Sequence, residues 1–271
     1  MSLLQVEILV CRDRGALVQR AADLVRAGSV RAIAERGRAA LATSCGDVVR
    51  GVFESLARST FPWREAHLFA ANECWRPGRD RAGAGHGTYD LLVRLPAPRQ
   101  HLHAVQLGFM DPYGAASAYE QQMRAFFGLT GGELPRFDLV VLQLGKDAQV
   151  ASLFAFSSGL EETARLAVAN YSREIGGQCV TFTASLINQA RNVVLLASGA
   201  AVAPALRDTV TGEFHPRRLP AQLINPVNGT LHVLADQDAA AELRLAQRVT
   251  QAATREHNPN LRFDLDESSR S

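Results

Sequence analysis

Apolar residues in this chain fall into two alternating patterns. Short continuous runs occupy 6–10, 39–43, 66–71, 138–144 and 192–197. Between them lie longer stretches in which apolar residues recur every three or four positions. Leu17, Ala21, Leu24 and Val25 do so within 14–36, and Val48, Val49, Val52, Phe53 and Leu56 follow the 39–43 run. A short, unbroken apolar run suits a strand covered on both faces, and the 3.6-residue period suits a helix with one buried face. The alternation predicts an α/β domain with a largely parallel sheet. A late helix is expected over 239–252. The polar, Gly-rich segment 76–86 reads as a surface loop, and the polar, acidic 257–271 as a loose tail behind a single domain at 1–256.

Composition narrows the class. The 271 residues carry a formal net charge of +2, with 47% hydrophobic residues, enough for one sizeable core. All basic residues except Lys146 are arginines, but no basic block is interleaved with aromatics, so no nucleic-acid surface is expected. No run approaches the length of a membrane span. The N-terminal run contains Glu7 and lacks a basic leader, so it reads as a strand and not a signal peptide. Cys11, Cys45, Cys74 and Cys179 are widely spaced, without a C-x-x-C pair. These features predict a soluble, reduced, intracellular protein, cytoplasmic by default, with no cofactor or metal motif.

Four collinear segments carry a resemblance. The clearest is Phe137-Asp-Leu-Val-Val-Leu-Gln-Leu-Gly-Lys-Asp-Ala-Gln-Val-Ala-Ser-Leu-Phe154, similar to F-D-L-x-x-L-G-M-G-x-D-G-H-x-A-S-L-F. The others are His67-Leu-Phe-Ala-Ala-Asn-Glu-Cys-Trp-Arg-Pro77, the region of Val180-Thr-Phe-Thr183 to Gly199, and Leu219-Pro-Ala221 with Leu231–Asp236. Together they resemble the 6-phosphogluconolactonase and glucosamine-6-phosphate deaminase superfamily. The resemblance implies a three-layer α/β/α fold, Rossmann-like and mainly parallel, with a site at the carboxyl ends of the strands.

It also implies a site that has changed. The family's histidine, thought to activate the attacking water, is replaced by Gln149, whose amide cannot take a proton near neutrality. Asp147 and Glu73 are kept. The residues themselves allow Asp147 a second reading, as the cap of a helix beginning near Val150. The family's phosphate-holding turn aligns with Cys45-Gly46-Asp47, where a carboxylate stands at a helix start and would compete with an anion for the same donors. Two arginines become Cys74 and Cys179, a lysine becomes Val202, and an aspartate becomes Asn72. Sugar-phosphate binding is therefore not expected. The three cysteines read either as space-fillers or as a thiol cluster at the former phosphate site. On this reading the chain is a non-catalytic binding, scaffolding or regulatory subunit with a protein partner or larger assembly. The alternative is an active 6-phosphogluconolactonase with a non-histidine base, Asp147 or Glu73.

Overall fold

The structure is a computed structural model that describes residues 5–75, 87–106, 111–173, 176–243 and 261–265. Its centre is an eight-stranded sheet in the order β11-β1-β10-β9-β6-β2-β3-β5. These strands are β1 (Gln5–Cys11), β2 (Ala39–Thr43), β3 (Ala66–Ala70), β5 (Leu102–His103), β6 (Leu139–Gln143), β9 (Asn192–Ala197), β10 (Thr230–Asp236) and β11 (Leu261–Leu265). Every pairing in it is parallel. A second, antiparallel sheet has the order β4-β8-β7, with β4 at Asn72–Trp75, β7 at Ala167–Ser172 and β8 at Gly177–Phe182.

Both faces of the large sheet are buried, which is why its strands read as unbroken apolar runs. Along β6, Leu139 and Val141 join one core with Leu17, Val25, Val52 and Phe53, whereas Val140 and Leu142 join the other with Phe69, Met123 and Phe137. The first core lies under α1 (Arg14–Arg36) and α2 (Asp47–Ala57), and the second under α4 (Pro112–Phe127) and the small sheet. Phe53 is fully buried, a contribution of roughly 1.5–3 kcal/mol.

Helix α1 coincides with the predicted span. The Asp13 side chain accepts the Ala16 N–H at 2.8 Å, and Gly37 ends the helix at φ 73° with its N–H on the Ile33 carbonyl. The strand expected over 66–71 divides after Ala70, because Asn72 begins β4 in the other sheet.

The polar segment 257–271 differs from expectation. Within it, Leu261–Leu265 forms β11, paired in parallel with β1, so that part of the segment extends the sheet. The Leu-Arg-Phe-Asp-Leu alternation carries a strand period that the acidic flanks obscure. The helix expected over 239–252 is described only to 243, where a turn leads into helical residues 241–243. The loop at 76–86 lies outside the described residues. Among the described residues, no helix is long and apolar enough to cross a membrane.

Candidate active site

The carboxyl ends of β2 and β6 are neighbours in the sheet, and the loops leaving them meet. The Ser44 N–H bonds the Val141 carbonyl at 3.0 Å, and the Gln143 N–H bonds Ser44 Oγ at 3.1 Å. The β2 loop then enters α2 through Gly46, at φ 145°. A side chain on Gly46 would collide with the Gln143 amide oxygen, which is why this close approach requires glycine.

Helix α2 begins with Asp47, and its amino end is occupied from within the chain. The Val48 N–H reaches both Gln143 Oε1 at 3.0 Å and Asp47 Oδ1 at 3.1 Å. Gln143 Nε2 donates to the same Asp47 oxygen at 3.1 Å, and Arg14 lies 2.9 Å from the other. Burial pushes the Asp47 carboxyl up, but the Gln143 amide and the Arg14 guanidinium outweigh it and hold the group below its ordinary value. Gly46, not Asp47, is the capping residue. Asp47 nevertheless takes a helix-start N–H, and Gln143 shares that donor. Gln143 stands where the resembling motif has the first glycine of G-M-G, a signal present in the sequence. Arg14 had no such signal.

The β6 loop carries Asp147 and Gln149. The Gly145 N–H bonds the Gln149 carbonyl at 2.9 Å, and the Ala148 N–H bonds the Gly145 carbonyl at 3.0 Å, making a tight turn. Ala148 sits at φ 58° where the motif has glycine. No helix follows, so Asp147 does not cap one. Its carboxylate turns back to the Gln149 N–H at 3.4 Å. A methyl group placed on Gly145 would lie 2.9 Å from Asp147 Oδ1 and 3.1 Å from Gln149 Nε2, so both side chains converge over that glycine. Gln149 Oε1 is buried and accepts no hydrogen bond from the surrounding protein.

Glu73 lies in β4, buried, with its carboxylate accepting the Tyr89 N–H at 2.6 Å against Gly87. Burial pushes this carboxyl up to about 7, against backbone hydrogen bonds that lower it. The Cys45 thiol is raised as well, by burial first and then by the Glu73 charge. Val202 ends a short 3-10 turn at Ala200–Val202 and packs against the core, offering no cation.

The cysteines correct two expectations. Cys74 and Cys179 are directly opposed across β4 and β8 and are joined by a disulfide. They are therefore neither free space-fillers nor two members of a reduced thiol cluster, and the reduced reading fails for this pair. In-register placement on two strands brought the sulfurs together, which spacing along the chain could not reveal. Closing a connection of 105 residues constrains the unfolded chain, worth roughly 4–5 kcal/mol in the chain-entropy account. Cys45 stays free, 3.9 Å from Asn72 Nδ2. Among the described residues, no group of three or more His, Cys, Asp or Glu is arranged to hold a metal ion.

A three-layer α/β/α fold with its polar loops gathered at the carboxyl ends of a parallel sheet defines a class of ligand-binding and catalytic domains. A family model described as glucosamine-6-phosphate isomerases/6-phosphogluconolactonase matches residues 12–233, and the chain belongs to this family. It is similar to a 6-phosphogluconolactonase from Synechocystis, 34% identical over 89% of this chain and 98% of the relative. A Nostoc protein of the same name is 32% identical over 88% of this chain and 98% of its own length. The solved 6-phosphogluconolactonase from Trypanosoma cruzi shares the fold, with a TM-score of 0.78 at 22% identity, covering 90% of this chain and 98% of that one.

Proposed function

We propose that this protein hydrolyses a sugar-acid lactone, with Asp147 as the base that replaces an imidazole and 6-phosphogluconolactone as the substrate to test. The observation that carries this reading is the likeness to proteins named 6-phosphogluconolactonase, 34% identical and matched over 98% of the first relative's length. The loop geometry is compatible with it. Asp147 Oδ1 and the Gln149 amide converge over Gly145, and Gln149 Oε1 lacks a partner. A water held by Gln149 would present a proton to Asp147 and its lone pair to the lactone carbonyl carbon. The ring ester bond then opens, with the proton passing to the leaving alkoxide.

As a class, carboxylates are weaker bases than imidazoles. A well-matched general base contributes roughly 10²–10⁴-fold, so turnover slower than that of histidine-bearing relatives is expected. The test is lactone consumption by the purified protein, corrected for the spontaneous rate. Turnover above that rate, lost in Asp147→Asn, supports the reading, and no excess turnover at any protein concentration ends it.

A second reading is favoured by one specific observation. The Val48 N–H at the amino end of α2 is already taken by Gln143 and Asp47, which also bond each other. A chain that neither grips phosphate nor abstracts a proton would serve as a binding, scaffolding or regulatory member of the family, acting through a protein partner. That reading expects no excess turnover and no thermal stabilisation by millimolar 6-phosphogluconate.

A further inference from the structure

Ser152 pegs the β6 loop onto the small sheet. It is buried, its N–H donates to Thr181 Oγ1 at 3.1 Å, and its carbonyl accepts from Asn170 Nδ2 at 2.8 Å. Its hydroxyl accepts from Asn72 Nδ2 at 2.8 Å and lies 3.1 Å from Cys74 Sγ. The four contacts come from β4, β7 and β8, so the segment holding Asp147 and Gln149 is positioned by the strands that the disulfide joins. Cys74 is both a partner of the peg and one half of the bridge.

We propose that the Cys74–Cys179 bridge is a thiol-redox switch that sets how firmly the 145–153 loop is docked. Two thiol sulfurs cannot remain at bonding distance, so reduction must separate them. Cys179 is fully buried, whereas Cys74 is only partly buried and touches Ser152, so Cys74 is the half freer to move and its movement alters the Ser152 contact. Opening the bridge therefore displaces a group in contact with the peg. The reductant is a dithiol. One of its thiolates attacks Cys74 Sγ, the bridge S–S bond breaks, and Cys179 leaves as a thiolate that takes up a proton. The second thiol of the reductant then attacks its partner sulfur in the mixed disulfide. Cys74 is released as a thiol, and the reductant leaves as a disulfide. Two electrons and two protons have passed to the protein.

The inference concerns the loop of the proposed lactonase but rests on its anchorage and not on turnover. The experiment uses the full chain, oxidised and after dithiothreitol. Alkylation under denaturing conditions should add two labels before reduction and four after it. Hydrogen exchange of peptides covering 145–153 should quicken about tenfold or more on reduction, with peptides from α1 unchanged. Cys179→Ser should show the fast exchange from the start and ignore dithiothreitol. Four labels without reductant overturn the proposal. So does unchanged loop exchange once labelling shows the bridge open, which would make the disulfide a staple only. If Cys179→Ser does not fold, the wild-type comparison decides alone. Exchange is read without substrate, so a protein lacking lactonase activity still tests the switch.

Discussion

The two loops that meet at the carboxyl ends of β2 and β6 have changed in opposite ways. The β2 loop keeps its glycine at position 46 but is filled, because Gln143 and Asp47 take the α2 N–H donor and Arg14 neutralises the added carboxylate. The β6 loop carries Ala148 and Gln149 where the resembling motif has glycine and histidine, yet it makes a tight turn and leaves Gln149 Oε1 unsatisfied. One loop has satisfied its own polar groups and the other has not. A self-satisfied site gives up ligand affinity, since a ligand must first displace good internal bonds. An unsatisfied one retains a reason to bind.

The largest expected effect lies in the open loop. Gln149→His places an imidazole where the turn geometry already exists, and lactone turnover should rise by roughly 10²–10⁴-fold. A stopped-rate assay of wild type against the variant reads this directly. A folded variant with no gain would show that the β6 loop is as far from working geometry as the β2 loop.

Glu73 comes next, through stability. Its folded value of about 7 lies above its unfolded one, so the folded state binds the proton more tightly. The resulting stabilisation is complete below about pH 4.5 and is lost as pH rises through about 7. The difference amounts to about 3 kcal/mol between the two limits. Denaturant unfolding of Glu73→Gln, which keeps an acceptor for the Tyr89 N–H, should lack this slope and exceed wild-type stability at pH 8. Identical pH profiles would mean that Glu73 is not the buried acid behind the site.

The filled loop should be harder to reverse. Gln143→Gly with Asp47→Ser removes both plugs, and binding of 6-phosphogluconate followed by calorimetry should tighten at least tenfold. That is the scale of one charge-assisted hydrogen bond, roughly 1.5–3 kcal/mol. Wild type binding as tightly as the double variant would remove the contrast between the loops.

These differences were unequally legible in the sequence. Five of the eight strands of the large sheet, and α1, followed from apolar period alone, because burial on both faces leaves a strand few polar positions. Gln149 and Asp47 were legible because a motif names their positions. Gln143 stood in the same motif, but its reach to α2 depends on β2 and β6 being adjacent. Cys74 with Cys179, and Arg14 with Asp47, are pairings made by tertiary register, to which sequence spacing is blind. The cap reading of Asp147 fails because a carboxylate before an apolar run looks alike whether a helix or a turn follows.

The smallest expected effect concerns how the β6 loop makes its tight turn with alanine at position 148. Ala148 sits at φ 58° with its methyl fully buried. A left-handed conformation costs a non-glycine residue roughly 1–2 kcal/mol, which Ala148→Gly would recover. Against this, the variant loses about 0.8 kcal/mol of methyl burial and roughly 0.5–1 kcal/mol to the freer unfolded chain. The terms nearly cancel, so denaturant unfolding should place Ala148→Gly within about 0.5 kcal/mol of wild type. Ala148→Val, by contrast, should cost more than about 2 kcal/mol, because a β-branched side chain tolerates this conformation poorly. A glycine variant stabilised by well over 1 kcal/mol would show the turn to be strained. The β6 loop would then be held by its surroundings, Ser152 foremost, and not by a backbone that alanine adopts at little cost.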